Sequence, residues 1–196
     1  MRHFIYFSSS AQTSGKALSG GDLMKAGRID IAIHSFIQGI YLSHGFRKDV
    51  TFHFIFYGIP DPPKHIEITV CDDLEISKKD IGTLIKKILY KFREGEKKEI
   101  FPGCFVEKKS FLKVIEDLTK KGVKCFILDK KGVSIRDVKI PEENCFILGD
   151  HDGLPKKEIN RLKKSGSIEE VSIGPKMYFA SQTVAVVNNE LDFRGL

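Results

Sequence analysis

The sequence lacks the signatures of several common protein classes. No C-x-x-C pair occurs, so we expect its four cysteines (Cys71, Cys104, Cys125 and Cys145) to be reduced, buried thiols rather than disulfides or zinc ligands. The absence of a P-loop and of a G-x-G-x-x-G fingerprint disfavours nucleoside triphosphates and dinucleotides as ligands. The amino terminus has no signal-peptide apolar core, and no apolar run reaches membrane-spanning length. We therefore expect a cytoplasmic protein that does not contact a membrane.

The composition is that of a folded, basic protein. The chain has 196 residues, of which 41% are hydrophobic, enough for a substantial core. Its net charge of +6 and pI near 9.0 favour nucleic acid as a partner, because phosphate backbones attract such surfaces. The same lysines would also suit ordinary solvated helix faces, or the Lys- and Glu-rich ion pairing of thermophilic proteins.

Hydrophobic spacing predicts strands alternating with helices. Strands are expected over 2–8, 50–57, 65–71, 105–106, 125–128, 145–148 and 171–173. Helices are expected from residue 29 up to a stop at Gly45, and over 81–92, 110–121, 156–164 and 180–191. This order predicts an α/β fold with a mostly parallel sheet sandwiched by helices. The charged segment 94–104 is interpreted as a linker that marks a boundary between two halves.

Three loops in the second half are candidates for ligand binding. They span 128–132, 148–155 and 172–181, and each follows an apolar strand. Ligands of open α/β sheets bind beyond the carboxyl ends of the strands, and glycine allows close approach of the backbone. These loops therefore suit a phosphate-free ligand bound through main-chain atoms, although ordinary strand-to-helix turns would look the same.

The GDHDG motif within the second loop has two interpretations. Asp150, His151 and Asp152 are residue types that bind metals or exchange protons, but aspartate after glycine more often stabilises a turn. We expect the turn and no metal, because no second cluster of histidines and carboxylates follows along the sequence. The last helix is apolar nearly all round its first turns, which predicts burial on both sides, in a subunit interface or within one chain.

The carboxyl-terminal motifs resemble those of a known family. FILGDHDGLP followed by SIGPKMYFASQTVAVVNNELD resembles the C-terminal region of the SPOUT methyltransferases, most closely the archaeal tRNA (pseudouridine-54 N1)-methyltransferases. KAGRIDIAIHSFIQGIYLSHGFRKDV and FYGIPDPPKHIEI extend this resemblance over nearly the whole chain. The more distant ribosomal-RNA pseudouridine N1-methyltransferases share the R-x-D element, which is Arg28 and Asp30 here.

The resemblance implies a fold, a cofactor and partners. It implies one SPOUT domain over 1–196, with a substrate side in 1–100 and a deep trefoil knot that binds S-adenosyl-L-methionine in 101–196. A homodimer through the knotted region and a tRNA substrate, methylated at N1 of pseudouridine 54 in the T-loop, are also implied. The residues that match the family's cofactor positions are Leu128, Gly149, Ser172, Ile173, Gly174, Pro175, Lys176, Met177 and, more weakly, Thr183.

The expected chemistry requires a proton acceptor and a cation, but no metal. N1 of pseudouridine must lose its proton, so a carboxylate would help, and a cation near the uracil carbonyls would stabilise negative charge. We expect Asp30 and Arg28 in these roles, flanking the start of a helix; equally, Asp30 could only stabilise that helix terminus. Asp61 and Asp150 are the alternative acids. Expected contacts to the RNA backbone are Arg2, Lys16, Lys25, Arg28, Arg47 and Lys48.

Two alternative functions remain open from the sequence. One keeps the enzyme and replaces tRNA by pseudouridine in ribosomal RNA. The other is a non-catalytic RNA-binding or assembly protein that retains the cofactor pocket.

Overall fold

The computed structural model describes residues 1–20, 22–74 and 76–196. Its elements alternate along much of the chain: β1 (Arg2–Ser8), α1 (Ile29–Ile40), β2 (Tyr41–Leu42), β3 (Gly45–Phe46), β4 (Val50–Phe56), β5 (Lys64–Thr69), α2 (Ile81–Tyr90), β6 (Lys98–Phe101), β7 (Cys104–Glu107), α3 (Phe111–Lys120), β8 (Lys124–Ser134), β9 (Asn144–Gly149), α4 (Lys156–Lys164), β10 (Ile168–Ser172) and α5 (Ala180–Phe193). Short 3-10 helices occupy Ala17–Gly20 and Ile135–Asp137.

Eight of these strands form one sheet in the order β10-β8-β9-β1-β4-β5-β7-β6. The first five are mutually parallel, whereas β5, β7 and β6 are joined by antiparallel pairing. β4 is buried at every position, as expected for a central strand covered on both faces. The expected α/β class with a mostly parallel sheet is therefore confirmed.

The two faces of the sheet support separate hydrophobic cores. Alternate residues of β1 point to opposite faces, so Phe4 and Tyr6 join one core whereas Ile5 and Phe7 join the other. The first core packs against α1, α2 and α5, and the second against α3 and α4. Ser110 caps α3 as its sequence predicts, accepting a hydrogen bond from the Lys113 amide at 3.3 Å.

Three sequence expectations are corrected by the fold. The segment 94–104 is not a linker, because it contains β6, which pairs with β7 and extends the same sheet. α1 ends at Ile40 rather than at Gly45, since the chain turns there into the β2–β3 hairpin. β8 continues to Ser134. Two consecutive residues of β10 pair with Ile127 and with Val133, so residues 128–132, which were expected to form a loop, bulge out of the strand.

A row of hydrogen-bonded histidines crosses the sheet from β1 to β7. His3 Nδ1 lies 3.1 Å from His53 Nε2, His53 Nδ1 lies 2.9 Å from His65 Nε2, and His65 Nδ1 lies 3.0 Å from a Glu107 carboxylate oxygen. A carboxylate only accepts, so His65 donates from Nδ1, and in the neutral row each ring donates from Nδ1 and accepts at Nε2. Burial lowers the pKa of His53 well below its ordinary value and that of His3 to about 4.

Two further features agree with the sequence. All four cysteines are free, and three of them (Cys104, Cys125 and Cys145) are buried. Within the described ranges, every helix is too short or too polar to cross a lipid bilayer.

Candidate functional site

Arg28 and Asp30 form an ion pair at the start of α1. Gly27 has a φ of 77°, and a Cβ atom there would lie 1.9 Å from the Ser10 carbonyl oxygen, so the turn into the helix requires glycine. Arg28 follows with a φ of 60°, unusual for a residue with a side chain. Its guanidinium contacts both carboxylate oxygens of Asp30 at 3.0 Å. These hydrogen bonds lower the pKa of Asp30. The two residues therefore flank the helix start, as expected.

Near this ion pair, two buried polar atoms have no hydrogen-bond partner among the residues that the structure describes. They are the Tyr6 hydroxyl and one carboxylate oxygen, Oδ2, of Asp150. Burial raises the pKa of Tyr6, with smaller contributions from the charges of Asp150 and Asp30. The backbone amide of Asp150 donates to Phe7, so the turn after β9 lies against the end of β1. Buried polar groups are almost always paired, so these two atoms are candidates for binding a ligand.

Tyr6 was not among the site residues predicted from the sequence, although a signal was available. Tyr6 stands among phenylalanines at an inward-facing position of β1 and is 0% exposed. A hydroxyl at a position that suits phenylalanine is an unexplained polar group in a core strand.

A small cleft collects most of the expected cofactor residues. It measures about 60 Å³, and its lining comprises Leu128, Asp129, Lys130, Ser172, Ile173, Gly174, Lys176, Met177, Tyr178 and Thr183. The Ser172 hydroxyl donates to the Gly174 carbonyl at 3.1 Å and accepts from the Gly174 amide at 3.2 Å, which shapes the turn after β10. Of the expected residues, Gly149 and Pro175 lie outside this lining.

Gly149 shapes the neighbouring turn instead of lining the cleft. A Cβ atom at Gly149 would lie 2.6 Å from the Gly153 carbonyl carbon, so a side chain would open this turn. The Asp150 carboxylate accepts from the Asp152 amide at 2.8 Å, and the Gly153 amide donates to the Asp150 carbonyl at 3.0 Å. The turn interpretation of the GDHDG motif is thus confirmed.

A larger cleft of about 450 Å³ lies elsewhere, between α2, the residues Asp73, Leu74 and Ile76, and the β6–β7 turn. It is open to solvent and contains none of the residues expected to bind cofactor or substrate. Size alone does not identify a site, whereas the smaller cleft is bounded by the turns that follow parallel strands, where ligands of this fold class bind. We therefore take the smaller cleft as the candidate site.

Several other expected residues have structural roles. Arg2 is 5% exposed and binds Asn188, the Leu196 carbonyl, Asp49 and Asp192, so its expected contact with RNA is wrong. Arg47 is likewise occupied by both carboxylate oxygens of Asp192, at 2.6 and 2.5 Å.

The remaining candidates differ in how their charges are used. The carboxylate of Asp61 is bound by Lys64 and Lys108, whose hydrogen bonds lower its pKa. Lys25 pairs with Asp22 at 3.2 Å, and Lys48 with Asp72. Lys16 is exposed.

The fold assembles one cluster that the sequence did not reveal. Ligand atoms of His53, His65 and Glu67 lie within 4.8 Å of one another, and so do those of Asp150, His151 and Asp152. However, the rings of His53 and His65 lie edge to edge, 17° from coplanar and joined by their hydrogen bond, so the facing nitrogens point at each other. Lys97 occupies both oxygens of Glu67 at 2.9 Å. The first cluster is therefore better described as a hydrogen-bond network than as a metal site.

The segment 177–193 starts at the cleft and presents apolar side chains to solvent. Met177, Phe179 and Phe193 are 81%, 76% and 90% exposed, whereas Val184, Val187 and Leu191 of α5 are buried against this chain. α5 is thus buried on one side only, and the expected burial on both sides is not met within one chain.

The sequence matches a family model along its full length. The model, described as "Putative SAM-dependent RNA methyltransferase", matches residues 1–196. A Thermococcus gammatolerans protein named tRNA (pseudouridine(54)-N(1))-methyltransferase is 35% identical over 199 residues, covering 98% of this chain and 97% of that protein. A protein of the same name from Pyrococcus abyssi is 34% identical over 210 residues and covers both chains completely.

Other relatives come from bacteria and from solved structures. A Vibrio parahaemolyticus protein named "Putative pseudouridine methyltransferase" is 34% identical over 200 residues, covering 99% of both chains. The crystal structure of Archaeoglobus fulgidus Nep1 bound to S-adenosylhomocysteine superposes with a TM-score of 0.63 at 13% identity, covering 100% of this chain and 99% of that one. This last similarity concerns the fold.

Proposed function

The chain belongs to the family of S-adenosylmethionine-dependent RNA methyltransferases, and we propose that it methylates N1 of pseudouridine 54 in the T-loop of tRNA. One observation carries this proposal: two archaeal proteins named for that reaction are 35% and 34% identical to the chain over almost their whole length. The bacterial relatives are named only for pseudouridine methylation. The choice of tRNA and of position 54 therefore rests on the archaeal ones.

The cleft has groups that suit S-adenosylmethionine. Leu128 and Ile173 offer apolar surface for an adenine ring, and the turn around Gly174 offers main-chain donors and acceptors. Asp129 and Lys130 supply opposite charges for the cationic and anionic groups of the methionyl end. When bound, the cofactor supplies an electrophilic methyl group. At about 60 Å³ the cleft is smaller than the roughly 300 Å³ of typical ligand sites, so we propose that the exposed segment 175–179 moves outward on binding.

Arg28 and Asp30 are the proposed catalytic pair. In the structure both oxygens of Asp30 are held by Arg28, and the lowered pKa makes this carboxylate a weak base. We propose that Arg28 turns to a uracil carbonyl of the substrate, where its charge stabilises the anion that forms. Asp30, released from Arg28, then accepts the N1 proton. The N1 lone pair takes the methyl group as the carbon–sulfur bond of the cofactor breaks, leaving S-adenosylhomocysteine.

Tyr6 and Asp150 are proposed to bind the rest of the same base. Pseudouridine carries two N–H donors and two carbonyl acceptors. Asp30 and Asp150 offer two acceptors, while Arg28 and Tyr6 offer two donors, so the cluster complements the base in kind and number. Oδ2 of Asp150 and the Tyr6 hydroxyl are free of protein partners, but buried. Substrate entry therefore requires the Asp150–Gly153 turn to shift.

We further propose that a second copy of the chain covers the exposed apolar residues of segment 177–193. A dimer through this segment would bury Met177 and Phe179 beside the cofactor cleft and would supply the missing walls of the cleft. We also propose the trefoil knot that is implied for residues 101–196. Its support is the insertion of β9 between β8 and β1, with the chain returning afterwards to β10 at the far side of β8.

Labelled S-adenosylmethionine with three RNA substrates tests the proposed function. We expect methyl transfer to tRNA that carries pseudouridine at position 54, and none to the same tRNA with uridine there. Transfer only to pseudouridine-containing ribosomal RNA would contradict the choice of tRNA. RNA binding without transfer to any of the three would contradict the enzymatic role.

A further inference from the structure

Among the α-helices that the structure describes, α4 carries the highest net positive charge. The nine residues of α4 (Lys156–Lys164) contain five basic residues and one acidic residue, a net charge of +4, whereas the whole chain carries +6. The net charges of α1, α2, α3 and α5 are −1, +2, 0 and −2. The charge on α4 is thus a local feature of the fold rather than a reflection of average composition.

Four of the five cations of α4 form no ion pair with any residue that the structure describes. Lys163 pairs with Glu170 at 2.5 Å, whereas in the described part of the chain Lys156, Lys157, Arg161 and Lys164 are exposed and form no ion pair. α3 shows the opposite pattern, since Lys113 pairs with Glu116 and Asp117 of its own helix. Ion pairing for thermal stability would produce the α3 pattern, so it does not explain α4.

The unpaired cations form one stripe, and its start is close to the candidate site. Ile159 and Leu162 anchor α4 in the second core, which directs the opposite face to solvent. On that face Lys157, Arg161 and Lys164 follow one another at spacings of four and three residues, a stripe about 10 Å long. α4 begins directly after the turn that carries Asp150, at the edge of the sheet where the strands β8, β9 and β10 end.

We infer that the exposed face of α4 is a docking surface for the tRNA backbone beside the methylated nucleotide. Arginine and lysine side chains bind phosphates without reading sequence, and unpaired cations release more bound counterions than cations that are already neutralised. A base that enters the site brings its flanking phosphates to this edge of the sheet. The inference rests on the proposed function, and it places the RNA on a surface that none of Arg2, Lys16, Lys25, Arg28, Arg47 and Lys48 contributes to.

Neutralisation of the stripe tests this inference. The double variant Lys157→Gln/Arg161→Gln removes two adjacent charges while keeping good helix formers. The control Lys98→Gln/Lys139→Gln removes the same charge from two exposed lysines that form no ion pair with a described residue. One lies on the sheet edge opposite β10 and one in the segment before β9. Affinity for an unmodified tRNA transcript is measured by fluorescence anisotropy at several salt concentrations, and circular dichroism and S-adenosylmethionine binding check the fold.

The α4 variant should bind tRNA about 10–100-fold more weakly than the parent at roughly 0.1 M salt, and its salt slope should fall by about two. The control should change by less than about threefold. Equal losses in the two variants, or no loss in either, would overturn the inference. If the α4 substitutions weaken the binding of a DNA duplex by the same factor, the assignment of this surface to tRNA is overturned.

The unmodified transcript separates this test from the test of function. Backbone docking does not need pseudouridine, so the α4 effect is measured whether or not methyl transfer occurs. If the parent protein binds tRNA through α4 but transfers no methyl group, the docking surface stands and the proposed reaction fails. If the parent protein transfers methyl groups but the α4 variant binds tRNA as tightly as the parent, the proposed reaction stands and the docking surface fails.

Discussion

Arg28 illustrates how single residues at the site depart from what stability alone would select. A left-handed backbone costs a residue with a side chain roughly 1–3 kcal/mol. The ion pair with Asp30 is partly exposed and contributes at most about 1 kcal/mol, and a carboxylate in the first turn of a helix adds a similar amount or less. These terms roughly cancel, so stability gives little reason for this arrangement. A strained residue with a paired carboxylate agrees with the catalytic role that we propose for the pair.

Replacement of Asp30 by asparagine should slow the chemical step rather than cofactor binding. The Asp30→Asn side chain keeps its size but cannot accept the N1 proton, so single-turnover methyl transfer should fall by about 100-fold or more. Calorimetry should show S-adenosylmethionine affinity within about threefold of the parent. Asp61→Asn is the matched control, since Asp61 is bound by Lys64 and Lys108, and its transfer rate should stay near that of the parent. A fast Asp30→Asn enzyme would remove Asp30 from the mechanism.

We expect the Tyr6 hydroxyl to lower the free energy of unfolding and to increase the rate of methylation. An unpaired buried polar group carries a desolvation penalty, so Tyr6→Phe should raise the free energy of unfolding by about 1 kcal/mol in urea titrations. If the hydroxyl binds a uracil carbonyl, the same variant should methylate tRNA at least about tenfold more slowly at subsaturating tRNA. A variant that is both less stable and fully active would show that the hydroxyl has a structural partner and no contact with substrate.

Among the elements, β1, β4, β5 and β7 combine to hold a row of polar side chains across the sheet. The histidine row places one imidazole on each of three neighbouring strands and ends on Glu107 of β7. All hydrogen bonds of the row are satisfied when the three rings are neutral. A single extra proton on His65 makes the two hydrogen bonds between the histidines run in the opposite direction. A second extra proton would place two N–H donors face to face in one of these contacts. The row therefore stabilises these strands only while at least two of its rings are neutral.

This row predicts a loss of stability in mild acid. In the folded state burial lowers the pKa of His3 from 6.5 to about 4 and that of His53 further, so between about pH 6.5 and 4 the unfolded chain binds more protons than the folded one. The free energy of unfolding should therefore fall as the pH falls through this window. Glu107 adds a second loss below about pH 4.5: although burial raises its pKa, hydrogen bonds from His65 and Lys109 lower it to about 2.

Urea titrations at pH 7, 6, 5 and 4 measure this dependence. The variant His3→Gln keeps a hydrogen-bonding side chain at the half-buried end of the row but does not titrate, so its stability should fall less steeply between pH 6.5 and 4. His34→Gln, at a partly exposed position of α1 outside the row, is the control. Identical pH dependence of the parent and His3→Gln proteins would contradict the pKa assigned to His3.

At the scale of the whole molecule, the exposed apolar residues near the carboxyl terminus lead us to expect a dimer. Large apolar side chains with 76–90% exposure, such as Phe179 and Phe193, lie along this segment, and Phe179 is next to the cofactor cleft. Single exposed apolar residues are common in soluble proteins, but a group of them next to an incomplete ligand site is typical of a subunit interface. The same surface then explains both the small volume of the cleft and the one-sided burial of α5.

Charged residues on this surface should separate the subunits and weaken cofactor binding. Phe179→Asp should shift the protein from dimer to monomer in light scattering after gel filtration, and should reduce S-adenosylmethionine affinity by at least about tenfold. Ile59→Asp is the control, because Ile59 is 73% exposed but lies far along the chain from this segment. A parent protein that is already monomeric, or a dimeric Phe179→Asp variant, would contradict the proposed interface.

The local pattern of the sequence determined the elements and the loops that bound the site. Continuous apolar runs marked β1, β4 and β9, apolar spacing marked α3 and α4, and glycines after strands marked the turns near the cleft, because these signals act between neighbouring residues. Tertiary structure alone decided the rest. Arg2 is buried under α5, the turn that carries Asp150 lies against the end of β1, and three histidines align across β1, β4 and β5. Such contacts depend on the order of strands in the sheet, which no local signal carries.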